Sequence, residues 1–252
     1  MIQVESYGVT DAGIQRPLNE DRILVAPELG AFGVFDGIGG QRRGEVAAEL
    51  AMATVHRYIE SSTNPLDVTW PYGYNFNLSL GGNRVLTAVR LANRRVWRKA
   101  EESLECAGMG TTVAVALITD NAATIANVGD SRIYRFRDGE LTQLSIDDTM
   151  AGAMAKQNIV SAEVLRKHPL RNMLTQAAGQ KEELDVHLVE EDLHPGDVLL
   201  LTSDGLHGVI EDSAIASHIT AGTSAEAITQ SLLKAALEAG APDNVSVITL
   251  RF

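Results

Sequence analysis

Cysteine is all but missing from this chain. The single Cys106 in 252 residues forbids an internal disulfide and leaves no thiolate pair for zinc, which points to a reducing compartment. As a nucleophile it is outweighed by the commoner case of a small buried thiol. No run of Lys and Arg is present, and 33 acids against 21 bases give a net charge of -12, so neither nucleic acid nor an anionic membrane surface is expected as a partner. No apolar stretch is long enough to span a bilayer. Residues 1–5 lack the basic and apolar regions of a signal peptide, so a cytoplasmic location is expected. The six histidines fall into no metal or triad pattern, and no Gly-rich loop with Lys and Ser/Thr offers a nucleotide site. Repeats, low-complexity tracts and linkers are lacking too, so a single domain is expected over residues 1–252.

What is present alternates between strand and helix patterns. Strands are expected at 2–10, 23–26 and 31–35. Residues 44–60 follow with helix-period apolar positions at Val46, Leu50, Val55, Tyr58 and Ile59. Residues 64–82 hold an unusual share of the few aromatics in Trp70-Pro71-Tyr72-Gly73-Tyr74, read as a loop anchored by packing. A second helix is expected at 83–105, with Val85, Leu86, Val89, Ala92, Val96 and Trp97 on one face. Arg90, Arg94, Arg95, Arg98 and Lys99 lie opposite, most simply as a solvated face. Four short apolar runs, 113–118, 122–128, 133–136 and 141–144, read as one antiparallel meander. Residues 145–182 lose strand character and read as an excursion, with Ser161 capping a short helix before Pro169. Strands return at 184–189 and 198–201. A helix is expected at 213–219, another opens on the capping box Thr223-x-x-Glu226, and a last strand covers 245–250.

Three acids recur at one kind of place. Asp36 and Asp204 each end an apolar strand and precede a glycine, while Asp243 precedes the final strand. One Asp-Gly alone reads as a hairpin turn. Strand ends of one core can meet, however, and three carboxylates meeting without a cation would repel strongly. Oxygen ligation without His or Cys favours Mg²⁺ or Mn²⁺. Two such ions roughly 3.5–4 Å apart can share a bridging water, lower its pKa and present hydroxide to a phosphoryl group, so phosphoester hydrolysis fits best. Asp130, after an apolar strand and Gly129, is a weaker version of the pattern. Arg16 and Asn19-Glu20-Asp21 crowd a cation and two carboxylates into a short segment that, taken alone, is a solvated turn.

In order along the chain, Arg16-x-x-Asn19-Glu20-Asp21, Phe35-Asp36-Gly37-x-Gly39-Gly40, Gly110-Thr111-Thr112, Asn127-Val128-Gly129-Asp130-Ser131-Arg132, Ser203-Asp204-Gly205-Leu206 and Asp243-Asn244-Val245 resemble the motif series of the metal-dependent serine/threonine protein phosphatases of type 2C, in their bacterial form. The resemblance covers nearly the whole chain. It implies an α+β fold, an α/β/β/α sandwich of two antiparallel sheets flanked by helices. It makes Asp36 the carboxylate bridging two metals, with the Gly37 carbonyl on one ion and Asp204 and Asp243 on the other. Glu20 and Asp21 hold metal-bound waters, Arg16 grips the substrate phosphate, and Asp130 with Asp204 binds a third, weaker ion. Residues 145–182, including Arg171-Asn172-x-Leu174-Thr175, become a flap beside the site. The implied partner is a phosphorylated protein, served by a cognate Ser/Thr kinase, and a monomer is expected.

Two departures stand out. Ile38 occupies the place of a eukaryotic histidine, and Asp147-Asp148 replaces the Asp-His with which bacterial flaps commonly open. Arg42 and Arg43, just after the metal loop, read either as exposed helix-start residues or as attractors of a phosphorylated segment. Two alternatives to a protein phosphatase stay open: a catalytically silent regulatory module of the same fold, and a hydrolase of small phosphoesters. The joint presence of Asp36, Asp204 and Asp243 argues against the first.

Overall fold

Strands that are apolar on both faces need cover on both, and the chain supplies it in four layers. The computed structural model describes residues 4–39, 43–64, 68–156 and 173–252. The first strands are β1 (Glu5–Asp11), β2 (Arg22–Ala26), β3 (Ala31–Phe35) and the short β4 (Gly37–Ile38), followed by helices α1 (Gly44–Ser61) and α2 (Leu80–Glu102). Then come β5 (Gly110–Thr111), β6 (Val113–Thr119), β7 (Ala122–Val128), β8 (Arg132–Arg137), β9 (Glu140–Gln143) and α3 (Met150–Lys156). The chain continues through β10 (His187–Asp192), β11 (Val198–Thr202), α4 (Asp204–His207), α5 (Asp212–Ala221), α6 (Ala225–Glu238) and β12 (Val245–Arg251).

One antiparallel sheet has the order β1-β12-β11-β8-β9 and the other β10-β7-β6-β3-β2, with β4 and β5 forming a small separate ladder. Side chains on a strand alternate between faces. In β11, Leu199 and Leu201 therefore enter the layer between the sheets with Phe32, Val34 and Ile125, while Val198 and Leu200 pack outward under α5 and α6. In β6, Val113, Val115 and Leu117 pack outward against Ala48, Ala51 and Val55 of α1 and Val89, Ala92 and Val96 of α2. Both faces are buried, which is why these strands read as continuous apolar runs rather than as alternation. The expected α/β/β/α sandwich is the observed one.

Three local readings change. The supposed meander is two hairpins on different sheets: β6 pairs with β7 and β8 with β9, whereas β7 and β8 do not pair. The chain crosses between sheets at Gly129-Asp130-Ser131. There Gly129 has φ 93°, and a Cβ on it would meet the Thr112 side chain at 2.7 Å. The last helix is capped not by Thr223 but by Ser224, whose hydroxyl accepts the Ala227 N–H at 3.0 Å. The second helix starts earlier than periodicity indicates, because Ser79 caps it by accepting the Gly82 N–H at 2.9 Å. The aromatic loop is tied to α2 through Tyr72 on Arg90 and Asn75 on Asn83, and within it Trp70 stands edge-on to Tyr74 at 5.1 Å and Tyr74 edge-on to Phe76 at 5.2 Å, while Phe76 stays exposed. Ile2, Gly40, Gln41, Arg42, the Ser161 cap, Pro169, Arg171 and Asn172 lie outside the described residues.

Candidate metal centre

The acids are gathered by backbone, and glycines permit the closest approaches. Asp36 joins β3 to β4. Its N–H donates to Thr112 Oγ1 at 3.0 Å, and its carbonyl accepts from the Thr112 N–H and the Thr111 hydroxyl, each at 2.9 Å. Thr112 Oγ1 lies 2.6 Å from Ser131 Oγ, which ties this hinge to the turn carrying Asp130. Gly37 lies so close to the start of α1 and to the Glu20 segment that a Cβ on it would fall 2.4 Å from the Gly44 carbonyl oxygen and 2.6 Å from that of Glu20. On the other sheet, a Cβ on Gly205 would stand 1.9 Å from the Asn244 carbonyl oxygen, so α4 and the start of β12 touch. That contact sets Asp204 beside Asp243. Asn244 then links the two halves: its Oδ1 accepts the Glu20 N–H at 2.8 Å, and its Nδ2 donates to the carbonyls of Ala12 and Leu18 at 2.9 Å.

Asp21, Asp36, Asp130, Asp204 and Asp243 consequently share one electrostatic neighbourhood. Burial, then repulsion from Asp21, Asp204, Asp130 and Asp243, pushes the Asp36 carboxyl well above the usual carboxylate range. Burial followed by repulsion from Asp130, Asp243 and Asp21 lifts Asp204 to about 7. Asp130 is lifted to about 6 by burial and then by Asp147. Asp21 is also lifted to about 6 by burial, although its Oδ2 accepts from Ser203 Oγ at 2.8 Å and Ser246 Oγ at 2.6 Å. Among the described residues, two buried carboxylate oxygens, Asp21 Oδ1 and Asp204 Oδ1, have no hydrogen-bond partner. Such atoms are costly to bury uncompensated, and a cation would compensate them.

No three acids or histidines among the described residues already close on one point as a ligand sphere. Asp243 shows why: its Oδ2 is bound by Arg16 Nη2 at 2.7 Å and its Oδ1 by the Asn244 N–H at 2.9 Å. The donor set still fits a hard divalent cation, because every candidate ligand is an oxygen and the excess charge is negative.

The raised values fix the sign of a pH effect. A carboxylate whose folded pKa exceeds its unfolded value contributes most stability at low pH and loses that contribution as pH rises through the folded value. With Asp21 and Asp130 at about 6 and Asp204 at about 7, this cluster should lower the stability of the metal-free protein between about pH 4 and about pH 8. Thermal unfolding with and without Mn²⁺ is the check, and the Mn²⁺-induced rise in Tm is expected to be larger at pH 8 than at pH 5. Equal rises at the two pH values would contradict the assignment of these acids to a cation.

The structure places Arg16, Glu20, Asp21, Asp36, Asp130, Asp204 and Asp243 within one electrostatic neighbourhood, with Gly37 against the Glu20 segment. Other groups support these acids. His207 donates from Nε2 to the Asp130 carbonyl at 3.1 Å, and burial drives its pKa well down, so it acts as a neutral clamp. Ser203, Ser246 and Asn244 orient Asp21 and Glu20. The Asp147-Asp148 departure also acquires a role. Asp147 takes Arg132, at 2.7 Å to Nη2, while Asp148 pairs with His187 Nε2 at 2.7 Å and accepts the Gly129 N–H and Gln176 Nε2 at 3.0 Å. The imidazole at the base of segment 145–182 thus comes from β10. Arg43 pairs with Glu45 and Glu105, each at 3.7 Å.

A protein-family model described as "Protein phosphatase 2C" matches residues 17–239. The serine/threonine protein phosphatase PstP of Mycobacterium tuberculosis is 32% identical over 242 residues, covering 95% of this chain and 43% of PstP. The chain therefore spans under half the length of that relative. Protein phosphatase PhpP of Streptococcus pneumoniae is 29% identical over 243 residues, covering 95% of this chain and 94% of PhpP. The crystal structure of the PstP catalytic domain in complex with two manganese ions superposes with a TM-score of 0.82 at 27% identity, covering 98% of this chain and 97% of that one.

Proposed function

This chain belongs to the protein phosphatase 2C family, and on that premise we propose that it is a metal-dependent phosphatase acting on phosphoserine and phosphothreonine in proteins. The observation that carries the reading is the pair of buried oxygens, Asp21 Oδ1 and Asp204 Oδ1, without a hydrogen-bond partner among the described residues, within a cluster of mutually repelling acids at the meeting ends of two sheets. In this reading Asp36 would serve two Mn²⁺ or Mg²⁺ ions, the Gly37 carbonyl would serve one of them, and Asp204 and Asp243 the other. Glu20 and Asp21 would hold waters, and Asp130 with Asp204 would offer a weaker third place. Bound ions would supply an activated water and neutralise charge on the phosphoryl group.

The chain's own groups do the rest. The Arg16 side chain is half exposed, is held by Asp243, and makes no other hydrogen bond among the described residues, so its remaining N–H donors are available to phosphate oxygens. Asn244, His207 and the Thr112–Ser131 pair hold the acid-bearing turns in place before substrate arrives. Residues 1–252 serve as one catalytic domain with residues 145–182 as its flap. Its partner is a phosphorylated protein, with a cognate Ser/Thr kinase acting in opposition.

Phosphate release from a phosphothreonine peptide and from an aryl phosphate, with Mn²⁺ and with chelator, tests the reading. Metal-dependent turnover of both, with the peptide preferred in kcat/KM, is expected. Turnover of the aryl phosphate alone would leave a small-phosphoester hydrolase, and no turnover of either would leave a silent module.

A further inference from the structure

The basic face of α2 is not simply a solvated stripe. Together with α1 it walls a groove of about 790 Å³ lined by Arg57 from α1 and by Arg94, Arg95, Arg98, Lys99 and Glu102 from α2. Leu50, Leu91 and Tyr58 add apolar surface. We propose that this groove docks a short acidic segment, rich in Asp and Glu, of the protein on which the phosphatase acts.

Four observations carry the proposal. The five cations make no ion pair or side-chain hydrogen bond with any described residue, whereas Arg22, Arg43, Arg132, Arg135, Arg137 and Arg251 are each paired with an acid. Positive charge is concentrated here in a chain whose net charge is -12, with Glu102 as the one acid among the described lining residues. Arg94 with Arg98 and Arg95 with Lys99 stand at i,i+4, where like charges destabilise a helix by about 0.2–0.5 kcal/mol per pair unless an anion intervenes. The helix dipole does not account for the set, because its effect is confined to about the last turn, and Arg94, Arg95 and Arg57 lie outside it or on another helix.

Dimensions select the occupant. From Leu91 to Glu102 the α2 wall runs about 16 Å, at about 1.5 Å per residue. That length accepts about five residues of extended chain at about 3.3 Å each, short for a nucleic acid tracking along the surface. Position connects the groove to the acid cluster. The α1 helix starts at Gly44, against Gly37, and its groove-lining residues Leu50 to Ser61 lie about 9 to 25 Å farther along its axis. A tract docked there would sit about three to eight residues from a phosphorylated residue at the cluster.

The link to substrate rests on the phosphatase reading, but the docking itself does not, and the test separates them. Anisotropy of a labelled, unphosphorylated Glu-rich peptide is measured with the full chain as wild type, Arg94→Glu/Arg98→Glu and Arg94→Ser/Arg98→Ser. In parallel, kcat and KM are measured for an aryl phosphate and for two phosphothreonine peptides, one with an acidic tract about five residues away and one with that tract replaced by Ser and Gly. Salt-sensitive binding to wild type is expected, weakened about tenfold or more by charge reversal and less by the serine variant. KM for the acidic peptide should rise about tenfold in the reversal variant, with kcat and the aryl phosphate unchanged. No binding, or binding equal in all three proteins, would overturn the proposal, as would groove-dependent binding of phosphatidylserine vesicles without peptide binding. If wild type turns over none of the three substrates yet binds the Glu-rich peptide through the groove, the phosphatase reading fails and the docking surface stands.

Discussion

Asp36→Asn is expected to lower phosphate release by about a thousandfold or more at saturating Mn²⁺, equivalent to about 4 kcal/mol of lost transition-state stabilisation. The same change should raise the Tm of the metal-free protein. Both follow from one arrangement. The Asp36 backbone is held in the fold through its N–H to Thr112 Oγ1 and its carbonyl to Thr111 and Thr112, contacts that Asn keeps. Its carboxylate instead stands among Asp21, Asp204, Asp130 and Asp243, where burial and repulsion oppose ionisation. Removing that charge relieves the metal-free state and removes the proposed shared ligand. Steady-state kinetics together with thermal unfolding in chelator check the pair of effects. Retained turnover, or a lower Tm without metal, would contradict the role given to Asp36.

Gly205→Ala should destabilise the protein by about 3 kcal/mol or more and weaken Mn²⁺ binding as well. The added methyl would lie 1.9 Å from the Asn244 carbonyl oxygen, a backbone atom of the segment that opens β12. Relief requires α4 to move away from β12, and that movement separates Asp204 from Asp243. Gly139→Ala is the control. Gly139 has φ 85° but open space around it, so the cost there is backbone strain alone, about 1–2 kcal/mol, with no effect on metal binding. Urea unfolding of both variants separates the two causes, and equal losses would show that the contact with Asn244 is not the reason Gly205 is required.

Much of the proposed site was legible because its acids mark element ends. Asp36 and Asp204 follow strands buried on both faces, which sequence displays as apolar runs, and a glycine after each marks a close approach. Long-range pairing was less legible. Periodicity identified β7 and β8 but carries no information about partners, so the crossing between sheets at Gly129 was invisible. The hydrogen bonds from Ser203 and Ser246 to Asp21 join residues about 180 and 225 positions apart, and only packing reveals them. Ser224 rather than Thr223 caps the last helix through a difference of one position, within the ordinary uncertainty of helix starts. The basic face of α2 was visible as charge. That Arg57 of α1 faces the same groove depends on how two helices pack, which neither helix's own pattern states.

Calorimetric titration of Mn²⁺ into the wild-type chain and into Asp36→Asn, at a pH above the raised values of the acid cluster, tests the central claim most directly. If the acids at these strand ends form a two-cation centre sharing Asp36, wild type binds two ions per chain and the variant loses that binding. Absence of Mn²⁺ binding to wild type, or the same stoichiometry and affinity in both proteins, would contradict it.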